Sequence, residues 1–245
     1  MAAFTVLEEA EGAIYRMCTT ADVSGVVACV SAAFKEGEPT TAAGGATEKD
    51  MTAFCQLFVP RMVDKSVIAT NAEGAVIGAM LCKDWGDEDP EEEFAGFMAK
   101  LEGDWLPALT GIGECEETFN SDFGIPVEEK PKEKWFQLWN CGVDEQWRGR
   151  GVGKKLVGHS VAVAKKQGYE VAFSICTSGP ITHILTTHSS ASVEHFVDYS
   201  TWTGTESVEV LRALPAAGHS GMSLCVVRLW GESKRSTRGG SAEDE

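Results

Sequence analysis

At 245 residues with 43% hydrophobic side chains, the chain is long and apolar enough for one sizeable domain with a closed core, which excludes a disordered protein. Its formal net charge of −16 argues against nucleic acid as a partner, because phosphate contacts need cations. No run of about 18 apolar residues occurs, so no membrane span is expected, and the acidic start MAAFTVLEEAEG lacks the basic and apolar regions of a signal peptide.

In chain order, GAIYRMCT (12–19) predicts a first strand. Thr20 or Asp22 then caps a helix to about Phe34, with Val23, Val26, Val27, Val30 and Phe34 on one face. A second helix fits 48–63 through Met51, Phe54, Cys55, Phe58 and Met62, and residues 66–85 form a hairpin around Asn71-Ala-Glu-Gly74. Residues 86–134 read differently: acidic and broken by proline and glycine, with a helix near 91–102, they predict an insertion or lid. WFQLWNCGV (135–143) is a strand. A helix from about Gly151 to Gln167 follows, stopped by Gly168, with Val152, Leu156, Val157, Ser160, Val161 and Ala164 on its apolar face. YEVAFSICT (169–177) is a strand buried on both faces, Pro180 opens a helix to about Ser190, and SVEHFVDYSTWTG and GMSLCVVRLW are two more strands. The tail, 233–245, is polar and expected to be disordered. The pattern defines an α+β domain over 1–232: a mixed sheet with helices on both faces.

The eight cysteines (Cys18, Cys29, Cys55, Cys82, Cys115, Cys141, Cys176 and Cys225) form no CxxC pair, and most lie in apolar runs. They read as reduced, packed thiols of a cytoplasmic protein, with no metal site and no disulfide frame.

Charge is unevenly distributed. Residues 84–134 hold sixteen acids against four lysines, a net of −12, whereas 148–166 hold Arg148, Arg150, Lys154, Lys155, Lys165 and Lys166 and no acid. A strand, a glycine-rich basic turn and a helix start bring free backbone N–H groups and the positive end of a helix dipole to one place, which suits a phosphate. GxxxxGK[ST] fails here, because Arg148 and Lys155 stand where Gly and Ser/Thr are required, and GxGxxG fails from either Gly149 or Gly151.

Arg148-Gly149-Arg150-Gly151-Val152-Gly153 does fit [RQ]xxGx[GA], in the setting of a preceding strand and a following amphipathic helix. The segment resembles the pyrophosphate loop of the GNAT superfamily of acyl-CoA-dependent N-acetyltransferases. That resemblance implies a GNAT fold: a central, mostly antiparallel sheet splayed at the acyl-CoA cleft. It implies acetyl-CoA as cosubstrate, its diphosphate on the loop amides from Gly149 through Lys154 with Arg148, Arg150 or Lys154 adding charge. The pantetheine arm and thioester carbonyl would lie against the backbone of Cys141, Gly142 and Val143.

Phe34-Lys35-Glu36-Gly37-Glu38-Pro39 resembles the FxxxEP segment of insect-type arylalkylamine N-acetyltransferases, whose glutamate is the proposed general base. The residues alone favour a surface glutamate in a helix-ending loop; the flanking match makes Glu38 the base candidate. The resemblance covers roughly residues 12–230. In the vertebrate branch two histidines stand where Gln137 and Trp139 stand here, so that base system is absent. Helix 180–190 lacks the tyrosine or asparagine that protonates the departing thiolate in many members. Insect-type enzymes carry a serine near this helix start, and the resemblance makes Thr182, followed by His183, its nearest equivalent, either of which could donate a proton or bond CoA. His159, His188, His195 and His219 read as structural or exposed. Trp85, Phe97, Trp105, Trp139, Tyr199 and Trp202 are candidates to line the acceptor side, although taken singly each reads better as core. The implied activity is acetyl transfer to a small primary amine. A peptide N-acetyltransferase and a catalytically silent CoA-binding module stand as alternatives, and the oligomeric state is left open.

Overall fold

The computed structural model describes residues 5–101, 105–122, 132–203 and 208–230. Its strands are β1 (Val6–Ala10), β2 (Ala13–Met17), β3 (Val67–Thr70), β4 (Val76–Asp84), β5 (Trp135–Val143), β6 (Val171–Cys176), β7 (Ser192–Asp198) and β8 (Gly221–Arg228). They form one eight-stranded sheet in the order β1-β2-β3-β4-β5-β6-β8-β7, antiparallel at every pairing except β5–β6. The helices are α1 (Val23–Gly37), α2 (Pro39–Ala43), α3 (Glu48–Met62), α4 (Glu91–Met98), α5 (Trp105–Asp122), α6 (Val152–Lys166), α7 (Gly179–His188) and α8 (Val208–Ala213).

One face of the sheet is covered by α6 and α7. Val152, Leu156, Val157, Ala164 and Leu185 pack there on Ile77, Met80, Phe136, Leu138 and Cys225. The opposite face carries α1, α3 and α5, with Val26, Val30, Phe54, Phe58 and Trp105 on Ile68, Ala79 and Leu81. Close approach on both faces depends on two glycines. A Cβ on Gly78 would meet Leu156 Cδ1 at 3.0 Å, and one on Gly142 would meet Ala33 Cβ and Val30 Cα at 3.2 Å. No helix among the described residues is long and apolar enough to cross a membrane.

Helix 1, helix 48–63, the hairpin, the 135–143 strand and the helix stopped by Gly168 (φ +93°) fall where expected. Three findings differ. β1 precedes the expected first strand; its Glu8 and Glu9 hide the alternation, and it is an edge strand paired only with β2. On α6, Val163 rather than Val161 is buried. Residues 86–134 are not simply a lid, because they contain α5, whose Trp105, Ala108 and Phe119 are buried. The two ends of this insertion meet at Asp84, which accepts from Gly86 N and Glu133 N, both at 2.8 Å, and from Tyr169 Oη at 3.1 Å. Trp85, Trp105 and Tyr199 are core, as each taken singly reads, at 1%, 2% and 0% exposure. The tail 233–245 lies outside the described residues.

Candidate active site

β5 is laddered to β6 only from Trp135 to Gln137, opposite Val171 to Phe173, yet it continues to Val143. Beyond Gln137 the two strands part. The outer stretch of β5 stays bonded to β4 on its other edge, with Met80 opposite Cys141, Ala79 opposite Gly142 and Gly78 opposite Val143. The β6-facing backbone groups of 138–143 therefore border an opening rather than a strand, which is the splay anticipated for Cys141, Gly142 and Val143. A bulge sharpens the divergence: Leu81 opposes Asn140 and Cys82 opposes Leu138, leaving Trp139 as the extra residue. Burial pushes the Cys141 thiol up to about 12, so it is a poor nucleophile.

The chain leaves β5 through a tight turn. Asp144 N donates to Ile77 O at 2.9 Å, and the Asp144 carboxylate accepts from Gln146 N at 2.9 Å. Arg148 then reaches back: Nε donates to Val143 O at 3.1 Å and Nη2 to Ala33 O at 3.4 Å, tying the loop to β5 and to α1. Gly149 and Gly151 adopt φ of +74° and +81°, a conformation side chains resist, and α6 starts at Val152 with no side-chain cap. The first intrahelical donor is Lys155 N, to Gly151 O at 3.1 Å. The amides of Val152, Gly153 and Lys154 precede it and point out of the helix start, as an anion nest requires. Arg150 lies over the Trp147 ring at 5.1 Å, and both Arg150 and Lys154 are exposed at the rim. Lys155 is turned away to Glu8 at 2.6 Å, and this bond holds the Glu8 carboxyl below its usual range. Uncapped amides, two left-handed glycines and free cations fit a diphosphate.

The FxxxEP segment lies next to this loop. A Cβ on Gly37 would sit 3.6 Å from the Arg148 guanidinium, so Glu38 follows directly on a residue that lies beside the loop. Glu38 is the N-cap of α2: Oε2 accepts from Thr40 Oγ1 and Thr41 N at 2.6 Å each, and Oε1 from Thr40 N at 3.2 Å. Pro39 at the first helical position suits that role. Thr40 was missed by sequence reasoning, although Glu-Pro-Thr-Thr is legible as a cap. Oε1, holding a single bond, keeps lone-pair capacity.

On the other side of the opening, α7 abuts the start of α6, with a Gly153 Cβ position 3.6 Å from Ile184 Cδ1. Thr182 is half-buried on α7, and its hydroxyl donates back to Ser178 O at 3.1 Å. His183 is exposed beside Thr187 at 3.2 Å. His159 bonds Glu8 at 2.9 Å, and His195 packs edge-on against Phe119 at 5.2 Å, so both are engaged structurally. A 620 Å³ groove also runs along α1 past Cys29, Ala33 and Arg148, lined by residues of α1, the β3–β4 turn and the loop.

The aromatic residues of the α1–α3 face form a closed cluster. Phe54 stacks on Trp139 at 5.5 Å and contacts Phe97 at 5.8 Å and Trp105 at 6.0 Å, while Phe58 meets Trp139 at 4.9 Å and Phe94 at 5.5 Å. Trp139 thus packs on Phe54 and Phe58, 85 and 81 residues away in sequence, and Phe97 on Phe54, 43 residues away, which the linear pattern does not reveal.

A splayed β5–β6 pair, a basic nest at a helix start and a flanking helix are the arrangement that an acyl-CoA-dependent acyltransferase would need. The acetyltransferase (GNAT) family model matches residues 41–179, more than half of the chain, and the chain belongs to that family. It is an N-acetyltransferase, and the family's acetyl donor is acetyl-CoA. Among solved structures it is similar to arylalkylamine N-acetyltransferase 2 from Aedes aegypti, at 15% identity and TM-score 0.68, covering 90% of this chain and 100% of that one. It is also similar to Drosophila melanogaster polyamine N-acetyltransferase, an enzyme described as forming N-acetylagmatine, at 19% identity and TM-score 0.65, covering 88% and 99%. The C-terminal condensation domain of Ebony in complex with β-alanyl-dopamine shares the fold at 13% identity and TM-score 0.72, covering 88% and 98%. Identities this low establish the fold alone. No match is found among curated proteins.

Proposed function

We propose that the protein transfers acetyl from acetyl-CoA to a small primary amine of the arylalkylamine or polyamine class, by direct attack. The observation that carries this reading is the adjacency of two motifs: Glu38 follows Gly37, whose Cβ position lies 3.6 Å from the Arg148 guanidinium of the basic nest. In this reading the amides of Gly149 through Lys154, with Arg150 and Lys154, hold the diphosphate. The backbone of Cys141, Gly142 and Val143 holds the pantetheine and polarises the thioester carbonyl. The amine nitrogen bonds to the carbonyl carbon, the C–S bond breaks, and Glu38 takes the amine proton directly or through water. The sulfur departs as a thiolate that accepts a hydrogen bond from Thr182 and takes its proton from water. Raised thiols disfavour a covalent acyl-cysteine: burial pushes Cys29 and Cys55 to about 11 and Cys18 to about 12. Such buried, reduced thiols suit a cytoplasmic enzyme.

The test is amine-dependent release of CoA thiol across arylalkylamines and polyamines, run beside mass spectrometry of basic peptides incubated with acetyl-CoA. Thiol release on small amines supports the reading. Acetylation confined to peptides would transfer it to a macromolecular acceptor, which the exposed Glu91, Glu92 and Glu93 would suit. Acetyl-CoA binding without turnover on either would make the protein a CoA-responsive module.

A further inference from the structure

Gln137 is 3% exposed, and its Oε1 has no hydrogen-bond partner among the described residues. A buried acceptor without a donor is costly and rare in folded proteins, so its location matters. Other buried oxygens without partners, Tyr15 Oη and Ser160 Oγ, lie on β2 and midway along α6. Gln137 instead is the last β5 residue laddered to β6, opposite Phe173, at the vertex of the fork. Its flanking residues Phe136 and Leu138 face the α6 cluster, so alternation places Gln137 on the opposite face, where Trp139 packs. The vertex thus presents the α6-packed face of the sheet on one side and an unpaired carboxamide oxygen on the other.

Its cross-strand neighbour explains why the oxygen is unpaired. Lys83 stands directly opposite Gln137 on β4 and is 7% exposed, but its ammonium is taken by Asp89 at the start of the acidic segment. Directly opposed residues share a face at close range. Gln137 is therefore next to a buried cation that does not donate to it, and that positive charge disfavours a second ammonium. A neutral N–H donor meets neither objection. The carboxamide accepts such a hydrogen and has no acidic or basic form near neutral pH, so it orients a nitrogen without competing for its proton.

We propose that Gln137 Oε1 accepts one N–H of the incoming amine at the fork and selects neutral primary amines, which keep a second N–H for the base. This rests on the small-amine reading above. The test compares wild type with Gln137→Leu and Gln137→Met in three measurements: melting of the ligand-free protein, calorimetric acetyl-CoA affinity, and kcat/KM for a primary amine and its N-methyl analogue. The expected result is a melting temperature equal to or above wild type, since an orphan acceptor is removed in favour of an apolar isostere. Acetyl-CoA affinity stays unchanged. kcat/KM for the primary amine falls about 10-fold, the worth of one hydrogen bond, and that for the N-methyl analogue falls less, so the preference between them shrinks. Lower melting temperatures in both variants would assign Gln137 a structural partner and overturn the inference, as would an unchanged primary-amine preference in an active variant. If wild type releases thiol on no amine, the small-amine reading fails first and this inference with it; if wild type is active and both variants match it, only the inference fails.

Discussion

The two sides of the β5 fork are built from different materials. The donor side, from Val143 through Lys154, is nearly all backbone: amides at an uncapped helix start, and glycines at φ +74° and +81°. The opposite face of the sheet beside it is assembled from side chains brought together from distant segments: Phe54 of α3 and Trp105 of α5 are core, and the partly buried Phe94 and Phe97 of α4 and Trp139 of β5, which pack on them, form the side proposed for the acceptor. Backbone geometry is set by local sequence and, in the proposed function, recognises what every acetyl-CoA has in common. Packed side chains are set by tertiary structure, and the proposed function puts the choice of acceptor there. Changes on the acceptor side should therefore alter which amine reacts and how fast, while changes on the donor side should alter acetyl-CoA affinity alone.

The largest expected effect tests where Glu38 belongs in that division. As the base, Glu38→Gln should lower kcat about 10²–10⁴-fold. As a cap only, it should cost about 1 kcal/mol of stability and leave kcat within a few-fold. Thr40→Ala removes a 2.6 Å donor from Glu38 Oε2 without removing the carboxylate and serves as the control. Steady-state rates beside thermal melts separate the outcomes, since one role appears in turnover and the other in the melt.

Next in size is the ion pair that fixes the start of α1, the helix carrying Ala33, Gly37 and Glu38 to the loop. Arg16 binds Asp22 through two bonds of 2.7 and 2.6 Å, and Thr19 N and Oγ1 add two more at 2.9 and 2.7 Å. Arg16 beside it holds the Asp22 carboxyl at about 2, below its ordinary 3.8. A depressed carboxyl contributes its stability above the unfolded value and loses it as pH falls toward the folded one. Asp22→Asn should thus cost about 3 kcal/mol at neutral pH, and the gap from wild type should close between pH 3.8 and about 2. Denaturant unfolding at several pH values measures it. A gap independent of pH would mean that the carboxylate's charge does not hold α1.

How much was legible follows the same division. The loop, its strand and its helix could be read because glycine spacing, cation clustering and a 3.6-residue period are local signals. Glu38 was legible as a motif, but its capping of α2 needs Thr40 and Thr41 folded back onto it. The aromatic candidates could not be divided between core and site from the sequence, for a physical reason: Trp85 and Trp105 are apolar in any context, each read better as core, and only the path of α5 over the sheet decides it. β1 escaped notice because Glu8, which looks like solvent-facing charge, is spent on Lys155 and His159 about 150 residues away.

The smallest expected effects separate backbone conformation from side-chain bulk within the donor loop itself. Gly151 and Gly153 both belong to the motif, but for different reasons. A Cβ on Gly151 would meet only Glu11 Oε2 at 3.8 Å, so space is available and the obstacle is its φ of +81°. Gly151→Ala should cost about 1 kcal/mol of stability through that conformation and weaken acetyl-CoA binding about 5-fold as the amides lose convergence. Gly153 is helical, and its Cβ would lie 3.6 Å from Ile184 Cδ1 and 3.7 Å from Val143 Cγ2, ordinary contacts. Gly153→Ala should therefore be neutral or stabilise by about 0.5–1 kcal/mol, as a motif that admits alanine in that place requires. Calorimetry with acetyl-CoA and chemical denaturation on the two variants make the comparison. Equal losses would mean that the loop is read by its bulk, and that the opposition between a backbone-built donor side and a side-chain-built acceptor side does not hold.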